Sequence, residues 1–198
     1  MLGLPKSTEL KRQLSKSAIY SQFNMSTTAK EKFDDDIKKI AIVNEVSKRT
    51  TSILEGEKVI SFFVLHIVLK RMYYDEKNII LISKLIKQNM VLILEYENKA
   101  RIAIYHTKLL HTDWQNTTDI SIQLKGLNLD QVWEDIIIQV SGVKIEQGNT
   151  LEDQIEINER RKKVQKQILT LEKLARAEKQ PKRKFELVEK IKRLKEGV

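Results

Sequence analysis

The sequence predicts an α+β fold: a mostly antiparallel five-stranded sheet flanked by helices, followed by a C-terminal helical hairpin or coiled-coil extension. Three observations predict it. β-branched and aromatic runs joined by short polar loops crowd the middle of the chain, which favours neighbouring strands in an antiparallel or mixed sheet. Apolar residues at 3–4 spacing, the mark of amphipathic helices, bracket that region. Beyond about residue 150 the chain becomes long, helical in pattern and strongly basic. The organisation that follows is an α+β body over residues 1–145 and a basic helical tail over 150–198. Between them, Gly142 to Asn149 holds two of the six glycines.

Each element has a local reason. Pro5 disfavours helix at Leu4, so the first residues read as extended. Ser7 or Thr8 can cap a helix carrying Leu10, Leu14 and Ile19. Thr28 followed by Glu31 has capping-box spacing, and Phe33, Ile37 and Ile40 recur at helical intervals, predicting a helix over 28–39. Residues 39–46 suggest a first strand. Glu55-Gly56-Glu57-Lys58 is a turn. Val59 to Leu69 is β-branched and aromatic, and reads as a central strand buried on both faces. Residues 76–88 place Ile79, Ile82, Leu85 and Ile86 at helical spacing. Met90–Tyr96 and Ala100–His106 form a hairpin across Glu97-Asn98-Lys99, with Asn98 suited to positive φ. Residues 119–124 alternate as a fifth strand. Asn128 or Asp130 starts a helix bearing Val132, Trp133, Ile136, Ile137 and Val140, which Ser141-Gly142 ends.

The tail restarts at Thr150, a candidate cap, with Asp153 placed well for the helix dipole. Ile157, Val164, Ile168, Leu171 and Ala175 form one stripe, with Arg161 in a seam position. Leu187, Ile191, Leu194 and Val198 form another beyond Pro181. A proline inside an unbroken helix costs about 3 kcal/mol, so two helices are expected, about 151–179 and 183–196. Residues 151–198 hold fifteen Lys/Arg and nine Asp/Glu, and so carry most of the chain's +9.

A sequence pI near 9.5 points to anionic partners, nucleic acid first. With no cysteine, disulfides, thiolate zinc sites and a cysteine nucleophile are excluded. The N-terminus lacks the apolar core of a signal peptide, and Val59–Leu69 is too short to span a bilayer. A cytoplasmic location with no membrane partner is expected.

Several stretches in order carry a resemblance. They are Leu4-Pro5-Lys6-Ser7-Thr8-Glu9, Phe33-x-x-x-Ile37-x-x-Ile40, Leu124-Lys125-Gly126-Leu127-Asn128-Leu129-Asp130, and Glu178-Lys179-Gln180 with Glu186-Leu187. Together they resemble an uncharacterised prokaryotic group, the domain-of-unknown-function family four-three-nine-one, over nearly the whole chain. The chain departs from it at Ala41-Ile42, where an aromatic residue is expected. Members of that family are often encoded near type III restriction–modification and SNF2-like helicase genes. The resemblance thus implies antiviral defence: an accessory, restriction-modification associated protein that works with the protein subunits of a defence complex. It implies no catalytic residues.

No motif for a known reaction is present. There is no G-x-G-x-x-G, no G-x4-G-K-[ST] and no G-x-S-x-G. Asp34-Asp35-Asp36 lie on consecutive helical positions about 100° apart and cannot converge on one ion, so they read as a solvated helix face. Among Glu-x-Lys pairs, Glu97 and Lys99 sit at a hairpin loop and Glu55-Gly56-Glu57-Lys58 on a turn. His106, His111 and Asp113 follow a strand without the convergence zinc needs. His66 reads as a hydrogen-bonded core histidine. No catalytic, cofactor-binding or metal residue is therefore assigned, and no cofactor is expected. Trp133 belongs to an apolar helix stripe. Trp114 is the exposed aromatic candidate, for stacking on a base or packing over a sheet edge. Arg160, Arg161, Lys162, Lys163 and Lys166, with Lys182, Arg183 and Lys184, are the candidate nucleic-acid contacts, which would position duplex DNA without reading its sequence. Arg160, Lys163 and Gln167 share a face apart from the stripe. Val164, Ile168, Leu171, Leu187, Ile191 and Leu194 are the partner-packing stripe. Three functional readings compete: a non-catalytic accessory protein contributing assembly and DNA contact, an unfamiliar or degenerate metal-dependent nuclease, and a homo-oligomerisation module built on that stripe.

Overall fold

The structure, a computed structural model, describes residues 2–146 and 148–196. Val198, the last position of the second stripe, lies outside them. The chain divides into two compact units, Met1–Gly142 and Val143–Val198.

The first unit is built on a seven-stranded sheet rather than five strands. In chain order it contains β1 (Glu9–Leu14), α1 (Lys16–Gln22), α2 (Thr27–Asp36), β2 (Ile37–Ser47), α3 (Lys48–Thr51), β3 (Ser61–Leu69), α4 (Glu76–Ser83), β4 (Asn89–Tyr96), β5 (Lys99–Tyr105), β6 (Leu109–His111), β7 (Gln115–Asn116) and α5 (Leu129–Ser141). The strands run β1-β2-β3-β4-β5-β6, and β7 also pairs with β5. All pairings are antiparallel except β3 with β4. That parallel pair requires a crossover, which α4 supplies.

The sheet buries both faces. On one, Ile40, Ile42, Leu65, Ile67, Leu92 and Leu94 pack with Ile19, Phe33, Ile79 and Ile82 of the helices. On the other, Trp133 of α5 lies against Phe62, ring centroids 5.3 Å apart. Burying an aromatic side chain of this size stabilises by about 1.5–3 kcal/mol. The double burial explains why β3 reads as a nearly continuous apolar run.

Asp130, in the first turn of α5, ties that helix to the 55–59 turn. Its carboxylate accepts the backbone N–H groups of Glu57 at 2.8 Å, Lys58 at 3.1 Å and Val59 at 2.7 Å. The turn comes so close that a Cβ on Gly56 would meet Asp130 Oδ1 at 2.2 Å.

Several local expectations give way to tertiary pairing. Residues 9–14 form β1 and not the start of a helix, because they hydrogen-bond along β2. The helix begins after Ser15, whose Oγ accepts from Ala18 N. Ser26, not Thr28, caps α2, and α2 stops at Asp36 because Ile37 already enters the sheet. In the β4–β5 hairpin the positive φ, 53°, falls on Glu97 rather than Asn98. Helix α4 ends at Ser83, short of 88. Residues 119–124 are not a strand, although Ile120 and Ile122 are buried. The Gln139 side chain stands where a neighbouring strand would, donating to Gln123 O at 2.9 Å and accepting from Gln123 N at 3.3 Å.

The second unit holds α6 (Leu151–Ala177) and α7 (Pro181–Glu196). No described helix is long and apolar enough to cross a membrane.

Candidate nucleic-acid interface

The hairpin of α6 and α7 is set up by its ends. Thr150 Oγ1 accepts from Asp153 N at 3.2 Å, and Asp153 Oδ2 accepts from Thr150 N at 3.3 Å, closing a capping box. The Thr150 hydroxyl, then its backbone N–H, hold the Asp153 carboxyl below its ordinary range. Beside the cap, Gln154 is almost fully buried and its Oε1 accepts from Glu146 N and Asn149 Nδ2. Pro181 occupies the first position of α7, where a missing N–H costs nothing and its fixed φ suits the helix. At 1.5 Å per residue the 27 residues of α6 extend about 40 Å.

The apolar stripe finds its partner within the chain. Ile168, Ala175 and Ile191 are buried together, and Val164, Leu171, Leu187 and Leu194 pack against them. Lys195 Nζ meets Glu172 Oε1 at 3.1 Å across the two helices. A lone helix of this charge is marginal in water, so this seam holds the hairpin together.

Closing the seam leaves the cations outside. All eight candidate basic residues are exposed. Arg161 pairs with Glu146 at 3.0 Å; among the described residues the other seven make no ion pair. The i, i+4 and i+11 positions Lys162, Lys166 and Lys173 lie within about 40° of one another, opposite Val164, Ile168 and Leu171. Arg160 and Lys163 instead flank the seam. Lys182, Arg183 and Lys184 fan around the first turn of α7, which contains no acidic residue. A helix dipole disfavours cations there, each by about 0.3–1 kcal/mol. Helix stability therefore does not explain them.

The remaining sequence candidates are accounted for by structural contacts. The Asp34–Asp36 run is a solvated face only in part: Asp35 is exposed and Asp34 half-exposed, but Asp36 is not. Asp36 is fully buried and accepts from Arg71 Nε at 2.6 Å, Asp75 N at 2.8 Å and Asn78 Nδ2 at 2.8 Å. Asp34 accepts from Lys16 Nζ and from Tyr20 Oη at 2.7 Å. The Lys16 hydrogen bond holds the Asp34 carboxyl below its ordinary value. Burial, then the neighbouring Asp34, push the Tyr20 hydroxyl upward. Among the described residues no group of three or more His, Asp or Glu stands together as a metal site.

Trp114 is half-buried rather than free. It packs at the edge of the core, with the Arg101 guanidinium 5.0 Å above its ring. Arg101 also donates to Thr112 O at 2.8 Å and to His111 Nδ1 at 2.9 Å, so His111 serves this clasp. His66 is bonded, as its apolar setting requires, and its partner is Glu95, Nε2 to Oε2 at 2.8 Å. Sequence reasoning missed Arg101, Asp130 and the His66–Glu95 pairing. A signal existed for the last: both residues interrupt apolar strands, but pairing them requires the parallel register of β3 and β4.

A family model described as a domain of unknown function, DUF4391, matches residues 2–197. No curated protein and no solved structure matches the chain.

Proposed function

The chain belongs to the DUF4391 family, a domain of unknown function, and we propose that it is a non-catalytic accessory subunit of a prokaryotic, restriction-associated DNA-defence system whose helical hairpin grips duplex DNA by its phosphates. The observation that carries the DNA reading is the hairpin's division of labour. Its apolar stripe is occupied within the chain, and seven of its eight candidate cations stand exposed with no ion pair among the described residues. Such contacts act through charge and carry no base information. The body supplies the surface for protein assembly, and the setting follows from the family resemblance.

The test is fluorescence anisotropy with a random-sequence duplex across a salt series. The proposal expects binding that ignores sequence and weakens by about 10³-fold or more between about 50 and 200 mM salt. Absence of binding at the low-salt end, or affinity indifferent to salt, overturns the DNA role. The assembly role is tested by affinity purification of the tagged chain from its native host. Stoichiometric recovery of restriction subunits supports it, and recovery of the chain alone rejects it.

A further inference from the structure

We infer that a cavity of about 340 Å³ in the first unit is a binding site for small molecules with an apolar body and an amine, amidine or amino-heterocycle head. Its floor is set by strand register. Phe62, Val64, His66 and Val68 alternate onto one face of β3, the face that α5 covers at its Phe62 end. Parallel pairing sets Ile93 beside His66, and antiparallel pairing sets Ala100 beside Glu95. Four of these residues, His66, Ile93, Glu95 and Ala100, line the cavity. Leu2 and Ile120 line it from two irregular segments, which are joined by Ile122 N donating to Leu2 O at 2.9 Å.

Two features mark this as a site rather than a packing defect. The cavity is at the scale of small-molecule pockets, about 300–1,000 Å³, and its lining runs from buried Ile93, Ala100 and Ile120 to exposed Glu9 and Lys11, so it opens to solvent. Its polar groups also stand where the strand pattern calls for apolar ones, as happens at functional sites. The His66–Glu95 pair sits among Val64, Val68, Val91 and Ile93.

The pair also defines the ligand. His66 Nε2 engages Glu95 Oε2 at 2.8 Å. In the tautomer whose one ring proton is on that nitrogen, Nδ1 and Oε1 of Glu95 are left as acceptors. His66 and Glu95 are each about one-third exposed, so a ligand can reach them, whereas Asn44, the buried polar group of the lining, donates from Nδ2 to Thr8 Oγ1 at 2.8 Å. Glu9 and Lys11, also lining residues, are exposed and opposite in charge, so Glu95 sets the sign. The complement is a ligand that donates two hydrogen bonds, carries neutral or positive charge, and buries a flat apolar body against Ile93, Ala100 and Ile120. This inference is independent of the hairpin's role.

Benzamidine is a suitable probe, titrated into the full chain and followed by methyl NMR. Saturable shifts at the Ile93 and Ile120 methyls are expected, with a dissociation constant of about 1 mM or tighter. Benzoate, of the same shape and opposite charge, should bind at least about tenfold more weakly. Glu95→Gln should weaken benzamidine by about tenfold or more. Ala100→Leu should fill the floor and abolish the shifts. Circular dichroism confirms that each variant is folded; if Ala100→Leu is not, Glu95→Gln decides. The inference is overturned if those methyls do not shift, if benzoate matches benzamidine, or if folded Glu95→Gln binds benzamidine unchanged.

Discussion

Replacing Asp36 with alanine should be among the most damaging single changes in the first unit. The carboxylate has no solvent exposure and accepts from Arg71, Asp75 N and Asn78 Nδ2. Removing it has unequal consequences for those donors. The Arg71 side chain is 53% exposed and can turn to water. Asn78 is only 8% exposed, so its amide loses its short bond and keeps only the long one to Lys32 O at 3.5 Å. Each buried donor left unsatisfied costs about 1–3 kcal/mol, and Asp75 N and Asn78 Nδ2 both lose this acceptor, while Arg71 can hydrate and leaves no buried charge behind. A loss of about 2–6 kcal/mol is therefore expected, a large part of the stability of an ordinary domain. Urea denaturation followed by far-ultraviolet circular dichroism should show the midpoint falling by about 2 M. Asn78→Ala in the same background should add less than it costs alone, because the two share one network. A midpoint shift under about 0.5 M would refute the reasoning.

Other expectations follow from the same contacts. Ile168→Asp places a charge in the closed seam, so it should melt the α6–α7 hairpin, seen as lost helicity with the sheet signal retained; unchanged helicity would show that the seam is dispensable. Gly56→Ala forces a Cβ onto Asp130, and Asp130→Ala removes the acceptor of three N–H groups. Each should cost about 1–3 kcal/mol and the double variant less than the sum, by thermal denaturation. The Asp34 carboxyl titrates below its ordinary 3.8 in the folded state, so the unfolded chain binds more protons there. Its stabilisation is present above about pH 4 and is lost as pH falls through the lower folded value. Thermal scans should show Asp34→Asn less stable at neutral pH, with a shallower decline below about pH 4 than the parent.

Much of the architecture was legible because it rests on local pattern. Thr150 with Asp153, Pro181, and the stripe from Val164 to Ala175 specified two helices and their caps without reference to distant residues. Asn128, Gly142 and the spacing from Val132 to Val140 did the same for α5. The illegible parts depend on distant partners. Residues 9–14 become a strand only because β2 offers an edge. Residues 119–124 fail to become one because Gln139 satisfies Gln123. Asp36 looked solvated because Arg71, Asp75 and Asn78, which bury it, lie about forty residues away. The basic surface was legible as composition, but its sorting was not. Periodicity pointed to Arg160, Lys163 and Gln167 as the shared face, whereas Lys162, Lys166 and Lys173 stand opposite the seam once α7 has closed it.

The central claim is that the hairpin's exposed cations, not its apolar stripe, meet DNA. The most direct measurement is the dependence of duplex affinity on salt, compared between the parent and one variant. That variant carries glutamine at Lys162, Lys163, Lys166, Lys182, Arg183 and Lys184, none of which makes an ion pair among the described residues. If these six side chains neutralise phosphates, the slope of log affinity against log salt should become shallower by up to about 5, at about 0.9 for each phosphate no longer neutralised. A folded variant with the parent's slope and affinity would contradict the account.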